Sequence, residues 1–226
     1  MSVTSDFIPT PDLAADDRRA MRQLMHRHFL GVTPASFDAD LADKTHALLL
    51  CDGDGGGLVG FSTLAAYADG GRTVICSGDT IMDPAHWSSP DLPRAWIRAV
   101  RTLPGGGDAR WLLLCGGFRT YRLLSTFWQT FTPRHDRPSN ADRDRLAAGR
   151  YGDRFDPATG IVRVTHPTPL RPHLAGIPPS RLRDPHVAHF ARLNPGHADG
   201  DELACLCDLT DANLTRAGRR VLFGAA

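Results

Sequence analysis

The sequence predicts a mixed α/β fold, a mainly antiparallel central sheet flanked by helices, in one domain spanning residues 1–226. Three observations carry that expectation. Hydrophobic spacing switches repeatedly between a helical period and short compact runs; a glycine-rich turn joins two of those runs as a hairpin; and Trp111–Cys115 is apolar on both faces. With 226 residues, 42% of them hydrophobic and 23% charged, the chain has the size and composition of one ordinary globular core.

Taken in order, residues 1–15 read as a short leader containing Pro9 and Pro11. Met21, Leu24, Met25, His28 and Phe29 then recur at the spacing of an amphipathic helix, which Gly31 ends. A short helix follows over 36–44, with Ala47–Cys51 next as a buried strand. The turn at 52–57 leads into a second strand over 58–66, and 74–77 begins a third, giving three consecutive antiparallel strands. Leu92, Ala95, Trp96, Ala99, Val100 and Leu103 return to helical spacing, behind Ser88, Ser89, Pro90 and Asp91 as cap and proline start. Past the strand at 111–115, Gly116 and Gly117 open a helix over 119–131 that Pro133 stops. From 132 onward the chain is richer in arginine and proline, with a strand near 160–164, a Pro-rich connection at 166–179 and a strand near 202–209.

Charge and cysteine content exclude several classes of function. Twenty-six basic against 25 acidic residues leave a net charge of +1, so no overall field draws nucleic acid or an anionic membrane. Lys44 is the only lysine, a skew toward arginine that reads as compositional bias. The five cysteines form no C-x-x-C pair and read as reduced thiols of a cytoplasmic protein. Cys205 and Cys207 alternate along a strand, as small buried hydrophobes do. The N-terminus lacks the apolar core of an export signal, and no run of about 18 apolar residues is present. His186, His189, His197 and Cys205 lack the spacing of a zinc site, so no metal is expected.

Three strings are distinctive within this order: His46–Asp52 (HALLLCD), Leu58–Leu64 (LVGFSTL) and Phe127–Pro133 (FWQTFTP). Together with the sequence helix, helix, hairpin, third strand, helix, apolar strand, helix and two late strands, they resemble the GNAT acyltransferase superfamily over roughly residues 16–210. The resemblance implies transfer of an acyl group from a thioester to an amine or hydroxyl of a small acceptor. The donor would be acyl-CoA or the phosphopantetheine arm of an acyl carrier protein. It further implies that the strands at 72–78 and 111–116 splay apart, so that backbone N–H groups along Cys76, Ser77 and Gly78 hold the thioester carbonyl. The family's glycine-containing phosphate loop is replaced here by Trp87–Arg94 (WSSPDLPR), in which Pro90 and Pro93 lack an N–H and Asp91 adds a negative charge. Ser88 and Ser89 remain as phosphate donors or helix caps, with Arg94 as a countercharge.

Acyl transfer to an amine needs a base for the ammonium proton and an acid for the leaving thiolate. Asp79, just past the third strand, is the candidate base, acting directly or through water, and otherwise a turn carboxylate. Tyr121 is the candidate acid, and otherwise a tyrosine packed with Leu124 and Trp128. Phe127 and Trp128 stand where the family often has a Phe-Tyr pair, so the acid at that end of the helix is missing. His86, Trp87, Arg119 and Thr120 are candidate acceptor contacts, His86 also an alternative base. Two functional readings stand: an acyltransferase, and a protein of the same fold that binds a ligand or partner without catalysis. The arginine-rich C-terminal part reads as a lid or as the surface of a homodimer.

Overall fold

The computed structural model describes residues 3–53 and 56–224. Along the chain lie β1 (Val3–Pro9), α1 (Ala15–His28), α2 (Pro34–Ala42), β2 (His46–Asp52), β3 (Leu58–Asp69), β4 (Arg72–Met82), α3 (Asp91–Arg101) and β5 (Arg110–Cys115). After them come α4 (Phe118–Phe127), α5 (Ala141–Tyr151), β6 (Phe155–Asp156), β7 (Ile161–Val162), α6 (Pro172–Ala175), α7 (Pro185–Leu193), β8 (Glu202–Asp208) and α8 (Arg216–Phe223). The strands form one sheet in the order β1-β2-β3-β4-β5-β8-β7-β6. All neighbours are antiparallel except β4 and β5. The mixed, mainly antiparallel sheet with helices on both faces is the fold class the sequence predicts, and α1 through α4 follow the predicted order of elements.

Hydrophobic alternation divides the core between the two faces. On one face Leu48, Ile75, Trp111, Leu113 and Cys205 meet Trp96, Val100, Leu124 and Phe190 from α3, α4 and α7. On the other, Ala47, Leu49 and Phe61 meet Met21, Leu24, Phe37 and Leu41 from α1 and α2. Val74, Leu112, Ala204 and Leu206 lie on that second face beneath Leu146 and Ala147 of α5. Helices α1 and α2 therefore cover one half of this face and α5 the other, which leaves a gap between them over β4 and β5.

Several expectations are corrected. The leader at 1–15 contains β1, which pairs with β2 from Val3↔Asp52 to Pro9↔His46, with Phe7 stacked on His46 at 4.8 Å. Phe7 packs toward one core and Ile8 toward another, so the segment is held on both faces. The hairpin pairs Leu50 with Gly60 and Cys51 with Leu58, while residues 54 and 55 of its turn lie outside the described residues. The helix expected over 119–131 ends at Phe127, because Trp128 turns extended to bridge Leu214. Helices α5, α7 and α8 stand in the arginine-rich part, where only late strands were expected; Asn140, Asp184 and Thr215 cap them. Among the described residues no helix is long and apolar enough to cross a membrane.

Removing residues 1–9 strips β2 of its outer partner and leaves Leu48 and Leu50 beneath an open edge. The truncated chain is expected to melt at a lower temperature and to self-associate, as thermal unfolding and light scattering would show; an unchanged melt would mean that β1 contributes nothing.

Candidate active site

Strands β4 and β5 pair only from Val74↔Arg110 to Ser77↔Leu113. Beyond that point β4 stays with β3 as far as Met82, while β5 stays with β8 through Cys115↔Leu203. The split coincides with a β-bulge: Ser62 pairs with Thr80 and Leu64 with Ser77, so Thr63 opposes both Gly78 and Asp79. An extra residue of this kind redirects side chains and sharpens twist, and here it coincides with Asp79 at the opening. Glycine at 78 is required by close approach: a Cβ there would lie 2.4 Å from Lys44 Cε and 2.7 Å from Thr63 Oγ1.

The gap between α1/α2 and α5 is a cleft of about 350 Å³, and Asp40, Lys44, Asp79, Tyr151, Arg154 and Glu202 are among the residues lining it. Lys44 lies against the bulge with only 8% of its side chain exposed; its Nζ donates to Asp40 Oδ1 at 2.6 Å and to the Asp40 carbonyl at 3.1 Å. Burial, and then the charge of Asp40, raise the Asp79 pKa to about 7, with Lys44 pulling the other way. Burial, and then Asp79 and Asp40, raise Glu202 to about 7, against Lys44 and Arg154. Both carboxyls are therefore harder to ionise than exposed ones, and a carboxyl raised toward neutral pH is suited to taking up a proton. Burial holds the Cys76 thiol above its ordinary range, which keeps it protonated rather than nucleophilic.

On the opposite side of the sheet, a slit between α3 and α4 is filled by three indoles. Trp96 and Trp111 stand 4.3 Å apart and Trp111 and Trp128 5.1 Å apart, and Trp111 Nε1 donates to Ser77 Oγ at 2.9 Å. About 20 Å³ remains open. The buried indole N–H groups of Trp96 and Trp128 have no partner among the described residues. Thr80 and Thr120 line both the slit and the cleft, so the two meet at the split between the strands.

Of the residues singled out from the sequence, Cys76, Ser77, Gly78, Asp79 and Thr120 all border the cleft. Tyr121 does not: it is fully buried between Phe131 and Phe190, and its hydroxyl donates to the Pro133 carbonyl at 2.8 Å. Burial pushes its pKa well up, so the candidate acid is a core residue. Ser88, Ser89 and Arg94 line neither cleft nor slit. Ser89 Oγ bonds the Asp91 carboxylate and accepts the Asp91 N–H at 3.2 Å, and Arg94 Nη1 lies 3.5 Å from Asp91, so these groups are engaged with one another at the start of α3. His86, Trp87 and Arg119 also lie outside the cleft. Trp87 Nε1 donates to the Met82 carbonyl, and the Arg119 guanidinium covers the Trp87 ring at 4.3 Å while donating to the Leu174 carbonyl. Sequence reasoning missed Asp40, Lys44 and Glu202, which come from elements far apart in the chain. The available signal was rarity: Lys44 is the sole lysine, Glu202 is the sole glutamate, and both line this one cleft. Among the described residues no cluster of three potential ligands could hold a metal ion.

No protein-family profile matches the sequence, and no curated protein does. Among solved structures, the chain is similar to the ribosomal-protein-S18-alanine N-acetyltransferase of Escherichia coli, at 13% identity and a TM-score of 0.43 over 92% of this chain and 95% of that one. A Trypanosoma brucei acetyltransferase is similar at 15% identity and a TM-score of 0.36, over 50% and 82% of the two chains. N-acetylglutamate synthase from Neisseria gonorrhoeae is similar at 12% identity and a TM-score of 0.41 over 65% of this chain, which spans 32% of the length of that one.

Asp79 and Glu202 titrate higher in the folded chain than in the unfolded one, so between about pH 4 and 7 the folded state holds the extra protons and stability falls as pH rises. Asp79→Asn removes this penalty. The variant is expected to melt above the wild type at pH 8, with the gap narrowing toward pH 4; a pH-independent difference would contradict the burial of this carboxyl.

Proposed function

We propose that this protein is an acyltransferase that moves an acyl group from a thioester, acyl-CoA or acyl-phosphopantetheine, to an amine held in the cleft. The observation that supports it is the split at Ser77/Leu113, where Asp79 borders the cleft and Thr80 and Thr120 line both the cleft and the slit. The thioester approaches from the slit side and its carbonyl carbon lies at the split, alongside the edge of β4 beyond Ser77 that has no β5 partner. Asp79 takes a proton from the acceptor ammonium, and the freed amine attacks the carbonyl carbon. As the C–N bond forms and the C–S bond breaks, the nitrogen gives up its second proton, which reaches the departing thiolate through water, since Tyr121 is engaged with the Pro133 carbonyl. The unpartnered indole N–H groups of Trp96 and Trp128 suit the amide carbonyls of a pantetheine arm entering the slit.

One observation favours a second reading. Three tryptophans leave about 20 Å³ in the slit, and the start of α3 is occupied by the chain's own Ser89 and Asp91. A protein closed in this way binds its ligand in the cleft without transferring anything to it.

Acyl-CoA hydrolysis-corrected thiol release with a set of primary amines separates the two. Turnover is expected for the wild type, rising with pH through about 7 as Asp79 deprotonates. Asp79→Asn should lower it by about 100-fold or more, in the range of acid–base groups, whereas Tyr121→Phe should leave it within about twofold. Absence of thiol release together with no thermal shift from CoA or any acyl-CoA would favour the non-catalytic reading.

A further inference from the structure

The charges of the cleft narrow the acceptor. Asp40 and Asp43 are neutralised by the protein itself, with Lys44 Nζ at 2.6 Å and 3.9 Å from their carboxylates and Arg150 paired to Asp43. Asp79 and Glu202 line the same cleft and have no ion pair or hydrogen bond among the described residues. Arg154, also on the wall, donates through Nε to the Tyr151 carbonyl at 3.3 Å and lies over the Tyr151 ring, yet no carboxylate pairs with it among the described residues. The cleft thus presents two unpaired carboxyls and one unpaired guanidinium to whatever enters.

A ligand carrying only positive charge would leave Arg154 without a counter-ion, and one carrying only negative charge would face Asp79 and Glu202. Both sets are complemented at once by a molecule with opposite charges at its two ends. A volume of about 350 Å³ lies near the lower end of ligand cavities and matches a free amino acid or dipeptide. We infer that the acceptor is a zwitterionic primary amine, its ammonium held between Asp79 and Glu202 and its carboxylate on the fork of Arg154. Guanidinium is the group suited to this second task, because its N–H donors meet both oxygens of a carboxylate. The inference depends on the acyl-transfer reading only for the word acceptor; the binding of the zwitterion does not.

Calorimetric titration of the full chain with leucine against isopentylamine, and phenylalanine against phenethylamine, isolates the carboxylate. Each amino acid is expected to bind at least about 10-fold more tightly than its decarboxylated counterpart, the worth of one charge-assisted contact. Arg154 is exposed, so Arg154→Ala should fold normally and bring each pair within about twofold. Glu202→Gln should weaken both members of a pair alike. Equal or tighter binding of the amines, a preference that survives Arg154→Ala, or no binding by any of the four would overturn the inference. Amino-acid binding without thiol release would uphold it and sink acyl transfer, whereas thiol release with amines as efficient as with amino acids would do the reverse.

Discussion

β4 and β5 form the sheet's one parallel pair, and their hydrogen bonding lasts four residues before the strands part. Each keeps its other neighbour, so neither strand is lost: β4 follows β3 to Met82 and β5 follows β8 to Cys115. A sheet interrupted in this way must satisfy or fill what the interruption opens. On one face it is filled with indole rings; on the other it stays open beneath two helices and a third that do not meet. The bulge at Gly78 and Asp79 belongs to the same event, since it places an additional residue where the strand leaves its partner.

The electrostatics of the cleft follow from that geometry. Asp79 and Glu202 belong to strands on either side of β5, and the split brings both onto the wall of one recess. Burial raises both, Asp40 adds to each and Asp79 adds to Glu202, while Lys44, itself held by Asp40, pulls the other way. Lys44 reaches that position along the groove that a side chain at 78 would block. The acid–base balance therefore depends on a glycine as much as on the charged groups themselves.

Much of this was legible from local pattern. The order of helices and strands from α1 to α4 followed from hydrophobic spacing, and so did the hairpin and the doubly covered Trp111–Cys115 strand. The β1 segment was not legible, because two prolines nearby and three polar residues disguise a strand whose partner lies some forty residues on. Helices α5, α7 and α8 were obscured by arginine, although Asp184 followed by Pro185 is a recognisable helix start. At the site, Asp79 and its neighbours on β4 were readable from their place after a strand. Tyr121 was misread because a helix sequence does not say which flank faces the cleft; its partner, the Pro133 carbonyl, decides that. Glu202 and Lys44 required the tertiary fold, being 158 positions apart.

The packing of the slit has an optical consequence. Three of the four tryptophans are buried there, with Trp111 4.3 Å from Trp96 and 5.1 Å from Trp128 between ring centres, while Trp87 stands 40% exposed on the surface. Rings that close exchange excitation energy, and their emission answers to any change in the polarity or spacing of their shared pocket. The protein therefore carries an intrinsic fluorescent gauge of the slit beside the split, with the partly exposed Trp87 as background.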